Sequence, residues 1–405
     1  DAAAARVARW MAAEYACPLC EAVRPFLAPG QKVRVTRTSA DAPWQLVSEK
    51  AGPVDERWVG LALAANDYAP GQRASRQRAV LEALREGPQR VAELSATIPG
   101  AASAVTALAK RGVVEVFSRR SVRGSEATSL SSAAAPRPER LTAGQAEALA
   151  AIDAAREEAA GGVVLVDGVT GSGKTEVYLD AIERALAAGR GAIVLVPEIS
   201  LTAQTVGRFR SRFGEDVAVL HSRLSTGERF DQWDLVRRGQ AHVVVGARSA
   251  LFAPLADPGL IIIDEEHEAS YKQDSSPRYH AREVAARMAA ERGCALVLGS
   301  ATPSLESLAR CRAGHFLGRP WTRVSMPERP AGAVLPKVTI VDMAEQFRGG
   351  RRGVFSAPLA HALEDVCERR EKAVLLLNRR GFANFLMCRE CGCVPECPHC
   401  SCALT

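Results

Sequence analysis

Between residues 163 and 298, short runs of aliphatic side chains recur and alternate with longer amphipathic stretches. The runs are Val163–Val166, Ile193–Val196, Val243–Val245, Leu260–Ile263 and Ala295–Leu298. Apolar runs without a polar alternate predict strands buried on both faces, and such strands belong to a parallel sheet covered by helices. The pattern differs upstream. Arg76–Arg85 carries Val80, Leu81 and Leu84 at helical spacing and meets a Gly87-Pro88 break. Val91–Ile98 and Ala101–Lys110 predict two more helices, and Gly112–Phe117 predicts a strand running into Arg119-Arg120. Three helices and a basic β-turn outline a winged helix-turn-helix; the competing reading is a small helical adaptor. A helical opening, Ala2–Tyr15, and a strand-like segment, Lys32–Arg37, come first. Ser121–Arg140 is rich in Ser, Ala, Pro and Arg, has no period and reads as a linker.

Length and composition narrow the class. At 405 residues the chain exceeds one ordinary domain. Hydrophobic residues at 47% and charged residues at 24% describe a soluble globular protein. The net charge of +6 fits a nucleic-acid partner without requiring one. No apolar run approaches the roughly 18 residues that span a membrane, and the N-terminus has no secretory pattern, so no membrane partner is expected. Six of the 11 cysteines crowd into residues 388–405, which suggests metal binding in a reducing cytoplasm. Cys17-Pro-Leu-Cys20 has metal-like spacing but no second pair nearby, and reads as two ordinary thiols.

The strongest chemical signal is Gly168-Val-Thr-Gly171-Ser172-Gly173-Lys174-Thr175, which follows the strand Val163–Val166 and precedes a helix. Its glycines let backbone N–H groups turn inward around phosphates, and the helix N-terminus adds favourable partial charge. Lys174 is expected on the β- and γ-phosphates of ATP, with Thr175 on Mg²⁺. About 90 residues later, Leu260-Ile-Ile-Ile-Asp264-Glu265-Glu266-His267 brings acids out at the carboxyl edge of a buried strand, where such sheets bind ligands. Asp264 suits the metal and Glu265 the attacking water. Gly299-Ser300-Ala301-Thr302-Pro303 leaves the next strand, where Ser300 and Thr302 are expected to couple nucleotide state to the metal-site acids.

These segments, in order, resemble the motifs of the PriA family of replication-restart DNA helicases, within superfamily 2. The resemblance rests on Gly168–Glu176, Val196–Thr202, His221-Ser222, Gly246–Phe252, Asp264–His267, Ser270–Gln273, Arg278–Arg282, Gly299–Ser304 and Leu377–Phe382. It covers most of residues 141–400. It implies that Leu141–Gln145 is a Q-motif with Gln145 on adenine, and that Glu176 and His267 join the nucleotide-binding set. Arg248 and Ser249 resemble a DNA-strand-contacting motif. Ser270–Arg282 resembles an aromatic-rich loop in which Tyr271 and Tyr279 stack on bases while Lys272, Arg278 and Arg282 meet phosphates. His280 reads as a structural residue of that loop.

Cys388-Arg-Glu-Cys391 and Cys397-Pro-His-Cys400 each present two thiolates to a tetrahedral Zn²⁺. They could share one ion, or each could be half of a separate site; the resemblance implies the second, with two zinc ions per complete chain.

The expected architecture is multidomain α/β. It comprises a partial 3′-DNA-end-binding domain (1–70), a winged helix (71–120), a linker (121–140) and a RecA-like ATP-binding lobe with a parallel sheet (141–320). A connector and the opening of a second lobe (321–387) and an incomplete zinc insertion (388–405) follow. The resemblance implies an ATP-dependent 3′→5′ DNA helicase that recognises abandoned forks and reloads the replicative helicase. Its implied partners are forked and single-stranded DNA, single-stranded-DNA-binding protein, primosome proteins and the replicative helicase loader. Both ends look cut, so the sequence is expected to behave as a fragment that binds ATP and DNA but barely hydrolyses. Another superfamily 2 translocase would lack the paired CxxC knuckles. A non-catalytic fork-binding scaffold would show decay of Gly173, Lys174 or Glu265, and all three are intact.

Overall fold

The computed structural model describes residues 1–30, 32–37, 45–49, 54–63, 65, 68–71, 74–121, 140–159, 161–329, 337–349 and 353–376. The four predicted zinc ligands, Leu377–Phe382 and nearly all of the expected linker lie outside the described residues. The chain divides into two compact units, Asp1–Gly332 and Ala333–Thr405.

The first unit opens with α1 (Ala2–Glu14), α2 (Leu19–Val23), β1 (Lys32–Thr36), β2 (Gln45–Glu49) and β3 (Val54–Leu61). Then come α3 (Ser75–Ala83), β4 (Gln89–Arg90), α4 (Val91–Thr97), α5 (Ala101–Lys110) and β5 (Val114–Ser121). The remainder of the unit is α6 (Ala143–Glu157), β6 (Val163–Gly168), α7 (Lys174–Ala187), β7 (Gly191–Leu195), α8 (Ala203–Phe213), β8 (Val217–Leu220), α9 (Thr226–Arg237), β9 (Val243–Gly246), β10 (Pro258–Ile263), α10 (Ala281–Arg292), β11 (Ala295–Ser300), α11 (Leu305–Ala313), β12 (His315–Phe316) and β13 (Arg319–Met326). In the second unit, α12 (Met343–Arg348) precedes α13 (Ala357–Glu368), whose Ser356 cap accepts from the Leu359 N–H.

The described residues form an eight-stranded sheet in the order β12-β13-β6-β11-β10-β7-β9-β8. Only the β12 edge is antiparallel; every other neighbouring pair is parallel. All residues of β7, β9, β10 and β11 are buried, as their unbroken apolar runs predict. Side chains alternate across a strand, so the sheet has two separate cores. Val164, Val194, Ile262 and Val297 lie under α6, α7 and α8, in one core with Leu149, Val177 and Phe209. Leu165, Ile193, Ile261 and Leu296 face the other way, towards α10 and its Val284, Ala285 and Met288.

The second core has a contributor that the sequence reading placed elsewhere. Val7, Ala8 and Met11 of α1 are buried in it, at most 2% exposed. Val7 and Met11 are four residues apart, so they share one helix face, and that face covers α10. Ion pairs Arg6–Glu291 and Arg292–Asp1, both 2.5 Å, flank the contact. Residues 1–26 thus pack on the lobe built around the eight-stranded sheet, although the sequence grouped them with a DNA-end-binding domain. The expected border at residue 70 also meets a continuous sheet: β3 pairs antiparallel with β5 from Val54↔Ser121 to Leu61↔Val114, and β4 adds to its other edge. Val59 and Val114 from that sheet share a core with Val80, Leu94, Val105 and Leu108 of α3, α4 and α5.

Met11 is fully buried against the lobe. Met11→Ala is therefore expected to destabilise the first unit by about 2–5 kcal/mol, the usual cost of emptying a core site. Urea unfolding, followed beside Arg9→Ala on the exposed face, checks this.

Candidate nucleotide site

Strand β6 ends at Gly168, and the chain turns through Val169–Gly173 into α7. Gly171 and Gly173 sit at φ +83° and +86°, a left-handed region that disfavours any side chain. A Cβ on Gly168 would lie 2.6 Å from Ser172 Oγ, so a larger residue there would force that side chain to shift. Ser172 is 1% exposed and its Oγ has no hydrogen-bond partner in the protein. Lys174, 8% exposed at the first turn of α7, donates from Nζ to the Gly168 carbonyl at 2.7 Å. An orphaned hydroxyl and a lysine folded back onto its own loop fit a cradle shaped for phosphate oxygens.

Strands β6 and β10 flank β11 in the sheet, so the phosphate loop and the acidic turn stand on either side of the β11 terminus. The backbone stays fastened as β10 ends: Asp264 N–H donates to Leu195 O, and Glu266 N–H to Gly299 O, both at 2.9 Å. Glu265 between them takes φ +46°, a conformation that costs a non-glycine residue roughly 1–2 kcal/mol. Its carboxylate lies 3.9 Å from Lys174 Nζ and 3.6 Å from His267 Nδ1.

Asp264 is held at three points. Besides its N–H, its carbonyl accepts from Tyr271 Oη at 2.7 Å and its Oδ1 accepts from Tyr178 Oη at 3.0 Å. Burial, and then the neighbouring Glu265, raise its carboxyl above the ordinary value, while the Tyr178 hydroxyl and Lys174 pull it back. Burial raises the Tyr178 phenol far more, so it remains a donor. His267 Nδ1 meets Ser300 Oγ at 2.7 Å, and that oxygen accepts from Thr302 N–H at 3.0 Å. The predicted coupling pair therefore connects to the acidic turn through the Ser300 hydroxyl and the Thr302 backbone; the Thr302 residue itself is exposed.

The third acid, Glu266, is fully buried. It accepts from Arg282 Nη1 at 2.8 Å, from Ser304 N–H at 2.7 Å, and from the Ser304 and Ser307 hydroxyls at 3.0 Å each. Desolvation opposes its ionisation, but these donors outweigh it and hold the carboxyl below its usual range.

The remaining expected site residues are placed as follows. Gln145 is 4% exposed; its Oε1 accepts from Thr142 N–H in a capping box, and its Nε2 donates to Gly173 O at 3.4 Å. It buttresses the phosphate loop and does not present its amide outward to adenine. Glu176 accepts from Arg212 Nη1 at 3.1 Å, within a cluster that includes Asp180 and Glu183, and so points along α7 away from the loop. Tyr271 and Tyr279 are 1% and 5% exposed and have no free face for a base. Arg282 is buried on Glu266 and unavailable to a phosphate. Arg248 donates to the carbonyls of Ser270 and Lys272 and lies over the Tyr279 ring, so it braces the loop. Lys272, Arg278 and Ser249 are exposed. His280 caps α10, its Nδ1 accepting from Arg282 N–H, and burial lowers its pKa to about 4. Beside this loop lies a groove of about 230 Å³ lined by Glu198, Ser222, Arg229, Arg248, Ser249 and Gln273.

The N-terminal segment grips the same loop. Phe26 stacks edge-on against Phe252 at 4.9 Å, and Phe252 against Tyr279 at 5.4 Å. Ser276 Oγ donates to Glu21, and the Lys272 ammonium lies 5.7 Å from the Tyr15 ring centre. The sequence reading missed Tyr178, Glu266 and this grip. Tyr178 had a usable signal, since it lies four residues after Lys174 on the same face of α7. Among the described residues no group of three or more His, Cys, Asp or Glu side chains could hold a metal, and no helix is long and apolar enough to cross a membrane.

A parallel sheet with a phosphate loop and an acidic turn at its carboxyl edge defines a helicase-type ATP-binding lobe. The DEAD/DEAH box helicase family matches residues 142–311. The chain is 45% identical to replication restart protein PriA of Bacillus subtilis over 82% of its own length and 41% of that protein. It is 43% identical to the Synechocystis PriA over 79% of its length and 38% of that protein. Likeness to the Pyrococcus furiosus Hef helicase domain is partial, with a TM-score of 0.32 at 22% identity over 43% of this chain and 37% of that one. The chain is thus similar, over about four fifths of its own length, to replication restart proteins named PriA. It spans about two fifths of the length of the curated relatives it matches.

Two outcomes follow from the buried charges. Glu266→Ala removes the fully buried carboxylate beside Arg282, leaves that guanidinium its ion pair with Glu283, and is expected to cost up to about 3–5 kcal/mol in unfolding experiments. Glu283 also lies below the ordinary carboxylate range, because the guanidiniums of Arg310 and Arg282 overcome its desolvation. Its stabilisation is complete above the unfolded carboxylate pKa and disappears as pH falls through the depressed folded value. Glu283→Gln should therefore flatten the acid limb of a stability–pH curve while lowering stability near neutrality.

Proposed function

We propose that the chain is the ATP-binding portion of a DNA helicase that restarts replication at abandoned forks. The observation that carries this is the convergence of Lys174, Asp264 and Glu265 on one edge of the sheet, with a hydroxyl network running from His267 to Ser300. In this reading Gly168–Thr175 hold the triphosphate, and Lys174 exchanges the Gly168 carbonyl for phosphate oxygens. Glu265 orients and deprotonates the attacking water. Thr175 and Asp264 would hold Mg²⁺, which supplies charge neutralisation at the phosphates. Glu266, Arg282, Ser304 and Ser307 keep the acidic turn and the β11 exit in register.

Exposed Lys272, Arg278 and Ser249, with the groove beside Arg229, support contact with a DNA backbone on the face carrying the 270–282 loop. The buried Tyr271 would report on that loop through the Asp264 carbonyl. The unit spanning β3 to β5 fits a winged helix, with Arg119 stacked over Trp58 at 5.0 Å on its sheet. Movement in the 3′→5′ direction, zinc at Cys388, Cys391, Cys397 and Cys400, and work with single-stranded-DNA-binding protein and primosome proteins in the cytoplasm complete the proposal. These rest on the family resemblance.

The test is ATP hydrolysis with and without forked DNA, by this chain and by a form extended to the length of its relatives, each beside Lys174→Ala. Fork-dependent turnover in the extended form, lowered on the order of 10²–10³-fold by the substitution, is the expected result. Turnover indifferent to DNA would remove the helicase reading and leave an ATPase.

A further inference from the structure

Tyr178 belongs to none of the motifs that define the nucleotide site, yet it reaches into that site's centre. It projects from the second turn of α7 and is 1% exposed. Its hydroxyl meets Asp264 Oδ1 at 3.0 Å. To reach Asp264 just past the end of β10, a side chain from the helix that follows β6 must pass over the end of the intervening strand, β11. The residue at that crossing is Gly299. A Cβ there would lie 1.6 Å from the Tyr178 hydroxyl oxygen and 2.8 Å from its Cζ. Since real Cβ atoms essentially never come within 3.0 Å of another heavy atom, the crossing is open only to glycine.

We infer that the Tyr178 hydroxyl is a positioning group that fixes Asp264 for the divalent cation of the nucleotide, and that Gly299 provides its passage. The inference rests on the ATP-binding reading above and adds a residue to it. Asp264 has two carboxylate oxygens. One accepts from the phenol, which fixes the plane of the carboxylate; the Glu265 N–H also bonds the carboxylate, and its remaining lone pairs are those that would meet the cation or a water bound to it. The phenol is neutral, so it orients the carboxylate without competing as a charge. Lys174, by contrast, pairs with Glu265, so the two acids have separate holders.

The experiment measures binding of a fluorescent ADP analogue to the full chain by anisotropy, first in EDTA and then across a Mg²⁺ titration. Wild type is expected to bind more tightly as Mg²⁺ rises. Tyr178→Phe, which keeps the ring and removes only the hydroxyl, is expected to bind as wild type does in EDTA. Its Mg²⁺ midpoint should rise about tenfold, the size of one hydrogen bond to a charged group. Gly299→Ala, whose Cβ would displace the phenol, should raise the midpoint at least as much.

An unchanged midpoint in Tyr178→Phe would overturn the inference. So would equal loss with and without Mg²⁺ accompanied by a lower melting temperature, which marks a packing role. Lys174→Ala separates the two levels of the argument. If it leaves nucleotide binding intact, the ATP-binding reading itself fails; if it abolishes binding while Tyr178→Phe leaves the midpoint unmoved, only the positioning role fails.

Discussion

A strand buried on both faces can carry charge only where it leaves the sheet. In this protein β6, β10 and β11 are such strands, and each releases its polar residues at the same edge. The parallel order brings three chain exits side by side: the phosphate loop, the acidic turn and the Ser300 segment. Everything chemical in the site follows from that juxtaposition. The cost is that each exit must be stabilised without regular secondary structure, since the ladder hydrogen bonds end there. The protein meets it with local donors. Leu195 and Gly299 carbonyls take the N–H groups of the acidic turn, Tyr271 takes a carbonyl, and a buried Arg–Glu pair with two serines ties the turn to the start of α11.

The same economy explains why the 270–282 loop is so heavily anchored. Its aromatic residues face inward, onto Phe252 and the Asp264 carbonyl, and its cations divide into a buried brace and an exposed pair. A loop built this way is tied to the acidic turn through its buried side chains. The first 26 residues add a second set of contacts on its outer side through Tyr15, Glu21 and Phe26. The loop is therefore held between the N-terminal segment and the acidic turn.

Much of the lobe was legible in the sequence because its signals are local. Unbroken runs such as Leu260–Ile263 gave buried strands, and glycine spacing around Lys174 gave the phosphate loop. Roles that depend on which way a side chain turns were not legible. Tyr271 and Tyr279 have the composition of a base-stacking loop, but burial is a tertiary outcome that residue type does not encode. Gln145 fits a nucleotide-contacting motif, yet a Thr three residues before it offered a capping partner that captured its amide. The docking of α1 was hidden for a similar reason. Val7 and Met11 mark an apolar face, but nothing local states that α10, some 270 residues later, is what it covers.

Gly299 and Tyr178 give this site an asymmetric history. Replacing the glycine first drives a methyl group into a phenol, and removing the hydroxyl alone still leaves Cζ 2.8 Å from that methyl, so position 178 must lose more than its hydroxyl before the crossing opens. The helix residue must therefore shrink before the strand residue can grow. A return to the present pair must retrace those steps in reverse. The two positions constrain one another, though they lie 121 positions apart in the chain.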